Sequence, residues 1–352
     1  MKKFTALLLA MTMVMSLAAC GSKSNTSDNT SASASTSQDS SEAVTTTADP
    51  ITLNVAYMPN YASLWAVMTG IEKGYFAEEG ITINLVEFAD GPSEIAAMEG
   101  GSIDLAYIGK GAHKLCILGR AVIFAPSSVH TSDTIVVSGT SGIETLEDLK
   151  GKVVAFNSGS SSESTLDSAL SLAGLTREDI KANDMDVSYM VSAMMSGSID
   201  AAVAWNPYTS EMVKNVEGAK EIEFSNGSIN LSSWICLPEY AENNHDILVR
   251  YSRALYKAMD YASDSAHWEE VAQWCANQSK TSLESNLAQT GDATWFDSAT
   301  LSADLQDGTL VGYYEHLQQD FLNGETITAS DAKDVNEFVL FNVMQESLGT
   351  EG

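Results

Sequence analysis

The residues best suited to chemistry in this chain are small hydrogen-bond donors and one isolated cation, placed where helices should begin. Ser160 and Glu163 stand at capping spacing after the apolar run Val153 to Phe156 and the break Asn157-Ser158-Gly159. A loop of that kind turns free backbone N–H groups, the hydroxyls of Ser158, Ser160 and Ser161, and the positive end of a helix dipole toward one point, where an anion or polar head group can sit. The same spacing also describes an ordinary capped helix. Gly91-Pro92-Ser93 and Gly109-Lys110-Gly111 lie at two further helix starts, again with N–H groups unpaired within the helix. Lys110 is unfavourable to the dipole there, so something negative should lie beside it, either a ligand anion or a carboxylate such as Asp90 or Asp104. Asn60 and Asn206 add amides to the same set of loops. Tyr61, Trp65, Tyr107 and Trp205 supply either a stacking wall for an organic ligand or core packing.

These are binding chemistries. The chain contains no G-x-S-x-G elbow, H-E-x-x-H or Walker A sequence, and His113, His130, His245, His267 and His316 are scattered without metal spacing. His113 is the histidine nearest the loops in question. No catalytic residue, metal site or cofactor is expected.

Positioning these loops requires strands that end and helices that begin at one edge. Apolar runs of strand length alternate with helical periodicity, an α/β pattern, with strands expected at Ile51 to Tyr57, Ile81 to Phe88, Leu105 to Ile108 and Val122 to Ala125. Helices are expected around Leu64 to Lys73, Ser93 to Glu99 and Gly111 to Leu118. A second unit follows, with strands near Val153 and Ala201 and helices near Leu166, Met190 and Tyr208. Gly101-Ser102-Ile103-Asp104-Leu105-Ala106 and Gly197-Ser198-Ile199-Asp200-Ala201-Ala202 share G-S-I-D-x-A, each after a helix and before a strand. Two related lobes with facing strand ends make a crevice, the usual ligand position in open α/β sheets. From Trp234 to Val343 the chain reads as mainly helical. The tail beyond Gln345 is expected to be loose.

The N-terminus sets the location. Lys2 and Lys3 precede an apolar run ending in Leu17-Ala18-Ala19-Cys20, which resembles a bacterial lipoprotein signal and implies cleavage after residue 19, lipidation of Cys20 and anchoring to the outer face of the cell membrane. Residues 20 to 50 are nearly all small or polar and read as a flexible tether. Formal net charge is −29 over 352 residues, with 47 acidic against 18 basic side chains. That balance argues against a nucleic-acid partner and requires any anion site to be built locally. Cys116, Cys236 and Cys275 have apolar neighbours and no metal spacing, so buried free thiols are expected, with one disulfide an alternative.

From Val55 to about Tyr208 the motifs Glu72-Lys73-Gly74-Tyr75-Phe76, Glu87-Phe88 with Gly91-Pro92, Gly101-Ser102-Ile103-Asp104, Asp148 to Ala155, Gly159-Ser160-Ser161 and Trp205-Asn206-Pro207-Tyr208 occur in the order seen in one family. The chain resembles the solute-binding proteins of ABC importers in the nitrate, sulfonate and taurine family. The resemblance implies a two-lobed periplasmic-binding-protein fold of type 2, with two hinge crossings near Ile135 to Ser138 and Asn230 to Cys236. It divides the chain into a first lobe at 51–137, a second at 138–232, and a return with C-terminal helices at 233–345. It implies delivery of a small ligand to a permease and ATPase, with a sensory protein or an enzyme on the same fold as alternatives; a monomer is expected. Relatives bind inorganic anions, sulfonates, taurine, or aromatic heterocycles such as the thiamine pyrimidine precursor and riboflavin. Asn206, where several relatives have aspartate, and Lys110 together favour a small anion such as an alkanesulfonate or nitrate over a zwitterion.

Overall fold

In the computed structural model, residues 49–350 are described, with Asn226 excepted. The signal and nearly all of the tether, Cys20 included, lie outside them. Eleven strands are described: β1 (Ile51–Tyr57), β2 (Ile81–Glu87), β3 (Leu105–Ile108), β4 (Val122–His130), β5 (Asp133–Val137), β6 (Val153–Phe156), β7 (Lys181–Asp184), β8 (Ala201–Ala202), β9 (Lys220–Phe224), β10 (Asn230–Cys236) and β11 (Thr294–Trp295). They form two sheets, in the orders β11-β4-β10-β3-β1-β2 and β7-β6-β8-β5-β9.

The two sheets repeat one plan. In each, a parallel trio (β2-β1-β3 or β7-β6-β8) is followed by one antiparallel strand, β10 or β5, and then by β4 or β9. The odd strand is in each case the one that has just crossed from the other lobe. A chain crossing between the facing C-terminal edges of two parallel sheets must enter the second at that edge and run away from it, hence antiparallel.

The shared hexapeptide is the joint of this plan. Gly101 and Gly197 end their helices with φ of 74° and 71°, the left-handed region that glycine enters without penalty. Ser102 Oγ and Ser198 Oγ then donate back to Ala97 O and Ala193 O at 3.1 and 2.9 Å. Asp104 Oδ2 accepts from Asn54 N, and Asp200 Oδ2 from Val153 N, both at 2.8 Å. Each aspartate thereby fixes the register of its strand beside the preceding parallel one.

Strand alternation explains why the second lobe reads as continuous apolar runs. Ile135 and Val137 face one cluster with Val154, Phe156 and Leu166, while Val136 and Ala155 face another with Val187, Met190 and Met194. Both faces of the central strands are covered, so β6, β8 and Ile135 to Val137 are apolar at every position, while the edge strands β7 and β9 are not. The first lobe has one larger core, into which the His245–Ser263 helix sends Tyr251, Leu255 and Met259.

Three boundaries differ from expectation. The first crossing falls between His130 and Asp133 and the second between Phe224 and Asn230, so Ile135–Val137 belongs to the second sheet and Asn230–Ser232 to the first. The strands mix polar and apolar residues up to the hinge, Ser127 to His130 before the first crossing and Lys220 to Phe224 before the second, so a reading based on apolar runs finds no edge to place it by. The last helix, Phe341–Leu348, runs past Gln345 because Ser347 is buried and its Oγ donates to Val343 O at 2.6 Å and Val249 O at 3.2 Å. Cys116, Cys236 and Cys275 are free and buried, and burial raises all three thiols.

One core residue is costly. Glu94 is fully buried with neither carboxyl oxygen hydrogen-bonded, and burial, assisted by Asp90, raises its pKa well above the ordinary value. Its folded form keeps a proton that the unfolded chain releases above about pH 4.5, so it removes stability as pH rises from there toward its folded value. Glu94→Gln is expected to stabilise the protein at pH 7 by about 1–3 kcal/mol, with the gain shrinking toward pH 4. Urea midpoints at the two pH values check this, and a glutamine variant less stable at pH 7 would refute it.

Candidate functional site

The cleft edges of both sheets enclose a cavity of about 520 Å³, within the roughly 300–1,000 Å³ range that takes drug-sized organic molecules. Eight of the expected residues line it: Asn60, Gly91, Gly109, Lys110, Ser160, Ser161, Trp205 and Asn206. The other six lie elsewhere. Tyr61 and Trp65 are core residues, 0 % and 1 % exposed, and pack behind Trp295 with ring centroids 5.3 and 5.0 Å away; it is Trp295 that faces the cavity. Ser93 is exposed and its N–H and hydroxyl both go to Asp90 Oδ1. Ser158 is held by Asp184 at the far edge of the second sheet. Pro92 and Gly111 meet the other lobe beside the cavity: a Cβ on Gly159 would lie 3.2 Å from Pro92 Cγ, and one on Gly111 only 2.0 Å from Ser160 O.

Those contacts show the lobes touching. Gly111 N donates to Ser161 Oγ at 3.4 Å, Lys114 pairs with Glu163 at 3.3 Å, and Asn206 Nδ2 donates to Asp292 Oδ2 at 2.8 Å. The first- and second-lobe loops therefore form a latch around the cavity.

The helix starts are not open anion sites. Asp90 caps the Gly91–Glu99 helix, Asn60 Oδ1 accepts from Ser63 N and Gln289 Oε1 from Tyr61 N, and Glu163 Oε2 accepts from Gly159 N. Ser160 takes the capping role, accepting from Ser162 N while donating to Asn157 O. Lys110 is 5 % exposed and its negative partner is Asp320, at 3.3 Å on the Thr309–Asn323 helix. Neither Asp90 nor Asp104 fills that place.

Apart from Tyr107, weighed above as stacking wall or core, and His130, set aside above as a scattered histidine, the floor and one wall come from residues that sequence reasoning passed over. The first sheet supplies Tyr107, Ser128, His130, Asn230 and Ser232 to the floor. Asn230 is 3 % exposed and its Nδ2 has no partner; Tyr107 Oη lies among the Ser127, Ser128 and Ser232 hydroxyls without a bond of good geometry. Buried donors of this kind ordinarily find an acceptor. Burial lowers the pKa of His130, with Lys110 adding to the effect and Asp133 opposing it, which favours the neutral ring.

The opposite wall is acidic. Glu221 and Glu223 of β9, Asp133 of β5 and Asp292 after the Leu283–Gln289 helix all face the cavity. Enclosure, then the neighbouring Glu223, raises Glu221, with nearby Thr209 opposing; enclosure and Glu221 likewise raise Asp292 against the bond from Asn206. Crowded carboxylates that raise one another favour a cation between them. Asn206 does not leave its corner without a carboxylate, as its replacement of aspartate implied, because it holds Asp292 there. His113 lies behind the Gly109 loop and away from the cavity lining.

Two lobes hinged by two crossings and closing over one central cavity define the periplasmic-binding-protein fold. The chain belongs to the NMT1/THI5-like family, whose model matches residues 62–266. It is 29 % identical over 293 residues to a binding protein of Brucella abortus, covering 82 % of this chain and 90 % of that one. It is also 29 % identical over 223 residues to a protein of Escherichia coli named for binding aliphatic sulfonates, covering 60 % and 68 %. The solved alkanesulfonate-binding protein SsuA of Xanthomonas axonopodis pv. citri, bound to MOPS, superposes with TM-score 0.62 at 21 % identity over 83 % of this chain and 99 % of that one. The desulfurization enzyme DszB shares the fold at TM-score 0.57 and 15 % identity, covering 85 % and 99 %. Among the described residues no helix is long and apolar enough to cross a membrane.

Proposed function

We propose that this chain is the extracytoplasmic solute-binding component of an ABC importer. It closes its lobes over an organic solute that carries an acceptor or anionic group at one end and a protonated nitrogen at the other. The carrying observation is the cavity's two-ended polarity: unpaired donors on Asn230 and Tyr107 at the floor, carboxylates of Glu221, Glu223 and Asp292 on the facing wall. Trp205 and Trp295 between them suit an apolar or aromatic body. This replaces the expectation of a simple anion. Nitrate would leave most of about 520 Å³ unfilled, and a plain alkanesulfonate would leave the acidic wall unpaired. Sulfonate-binding relatives support the acceptor end of the reading, and the Asp292 carboxylate beside Asn206 returns amino sulfonates such as taurine and amine-bearing heterocycles to the candidate set.

Binding rather than turnover is part of the proposal, and relatives named for binding support it. Lipid anchoring through Cys20 and delivery to a permease and ATPase complete the proposal.

A thermal-shift panel in low-salt phosphate tests it, since a ligand that binds only the folded form raises the midpoint. Taurine or an aminopyrimidine should raise the midpoint more than ethanesulfonate or nitrate at equal concentration. The reverse order would overturn the assignment of the two ends.

A further inference from the structure

His113 is buried to 0 % exposure, yet it lines no part of the cavity. Its Nδ1 lies 3.0 Å from Gly109 O and its Nε2 lies 2.9 Å from Ser233 Oγ, which is in turn 2.9 Å from Tyr314 Oη. The direction of every bond in this chain is determined. A carbonyl only accepts, so Nδ1 carries the hydrogen; in the neutral ring Nε2 must then accept from the Ser233 hydroxyl, which leaves Ser233 to accept from Tyr314. Burial pushes the His113 pKa down to about 4, so the neutral ring persists near pH 7. Ser233 and Tyr314 are likewise 0 % exposed.

Both ends of this relay bear on closure. Gly109 begins the turn whose next residues are Lys110 and Gly111, and a Cβ on Gly111 would meet the Ser160 backbone at 2.0 Å. Tyr314 lies on the Thr309–Asn323 helix, which also carries Asp320, the partner of Lys110. One C-terminal helix therefore grips the turn twice, through an ion pair at Lys110 and through three side chains at Gly109.

We propose that His113 is a positioning residue for ligand capture: with Ser233 and Tyr314 it transmits the placement of the Thr309–Asn323 helix to the Gly109–Gly111 turn and holds that turn at the height where the second lobe can close on it. An aromatic core residue of the same size would fill the space but would remove the ring nitrogens that link Gly109 O to Ser233 Oγ, leaving Gly109 O with Ala112 N alone and Ser233 with Tyr314 alone. The inference rests on the two-lobe capture reading, so its test uses the ligand-free protein and does not depend on which solute binds.

Amide hydrogen exchange across the Gly109–Ala112 turn is the readout, with the rest of the first lobe as the internal reference. His113→Phe keeps the volume and removes both ring nitrogens; loss of one buried hydrogen bond corresponds to about tenfold faster exchange at the turn. His113→Gln retains one donor and one acceptor and should restore most of the protection. Tyr314→Phe keeps its ring, removes only the hydroxyl bonded to Ser233 and should still raise exchange at the turn, by about threefold. If His113→Phe does not fold, Tyr314→Phe carries the test. Turn exchange equal to wild type in Tyr314→Phe, or a rise spread evenly over the first lobe, would overturn the proposal and leave His113 as a core residue only.

Discussion

Gly111→Ala is expected to weaken ligand capture about a hundredfold while leaving the fold intact. A methyl group on Gly111 would sit 2.0 Å from Ser160 O and 2.5 Å from Ser161 N. Both atoms are backbone, so no rotamer change can relieve the clash. Both also belong to the other lobe. The φ of Gly111 lies outside the left-handed region, so alanine carries no local strain in a protein whose lobes are apart. Its penalty falls on the closed state alone. A ligand gains from closure only what it contributes beyond the cost of closing, and about 3 kcal/mol charged against closing corresponds to that hundredfold loss. Titration calorimetry with any ligand found for the wild type measures the effect, and small-angle scattering checks that the variant stays open when ligand is added. Wild-type affinity with full compaction would mean that the Gly111–Ser160 contact is not part of the bound state.

The second large effect concerns charge. Glu221→Gln combined with Asp292→Asn keeps the shape of the acidic wall and leaves Asn206 Nδ2 an amide oxygen at position 292 to donate to. The double variant should lose about 1–3 kcal/mol of affinity for an amino sulfonate. A sulfonate without the amine should bind the variant as well as or better than it binds the wild type, because the repulsive wall has gone. Equal losses for both ligands would show that the wall acts through packing alone.

How much of this was legible beforehand divides along the chain's local and distant contacts. The G-S-I-D repeat exposed the duplicated lobe, because Asp104 and Asp200 fix the register of neighbouring strands through bonds that recur in both copies. The βα loops were legible for the same reason, and Asn60, Gly91, Gly109 and Trp205 reach the cavity from them. The nature of the ligand was not. Three helix starts looked like anion sites, but their N–H groups go to nearby Asp90 and Glu163 and, at Gly111, to Ser161 Oγ, 50 positions along the chain. The floor lies on crossing strands, whose cleft-facing polar residues Asn230, Ser232 and His130 are interrupted by core residues and form no motif. Asp292 and Trp295 come from the C-terminal return, where the resemblance thins. Lys110 drew attention as a lone cation, and only the fold brings Asp320 to it, from 210 positions along the chain.

The most direct test of the two-ended site is calorimetric titration of the chain from Asp49 onward with two ligands that share a propanesulfonate and differ in a morpholine ring with its protonated nitrogen. MOPS carries a sulfonate on a propyl chain ending in a morpholine nitrogen; 1-propanesulfonate is the same chain without it. Below the morpholine pKa, in phosphate at about pH 6.5, MOPS is expected to bind at least tenfold more tightly, with that advantage lost in the Glu221→Gln, Asp292→Asn double variant. Propanesulfonate binding as tightly as MOPS, or MOPS failing to bind at all, would contradict the account.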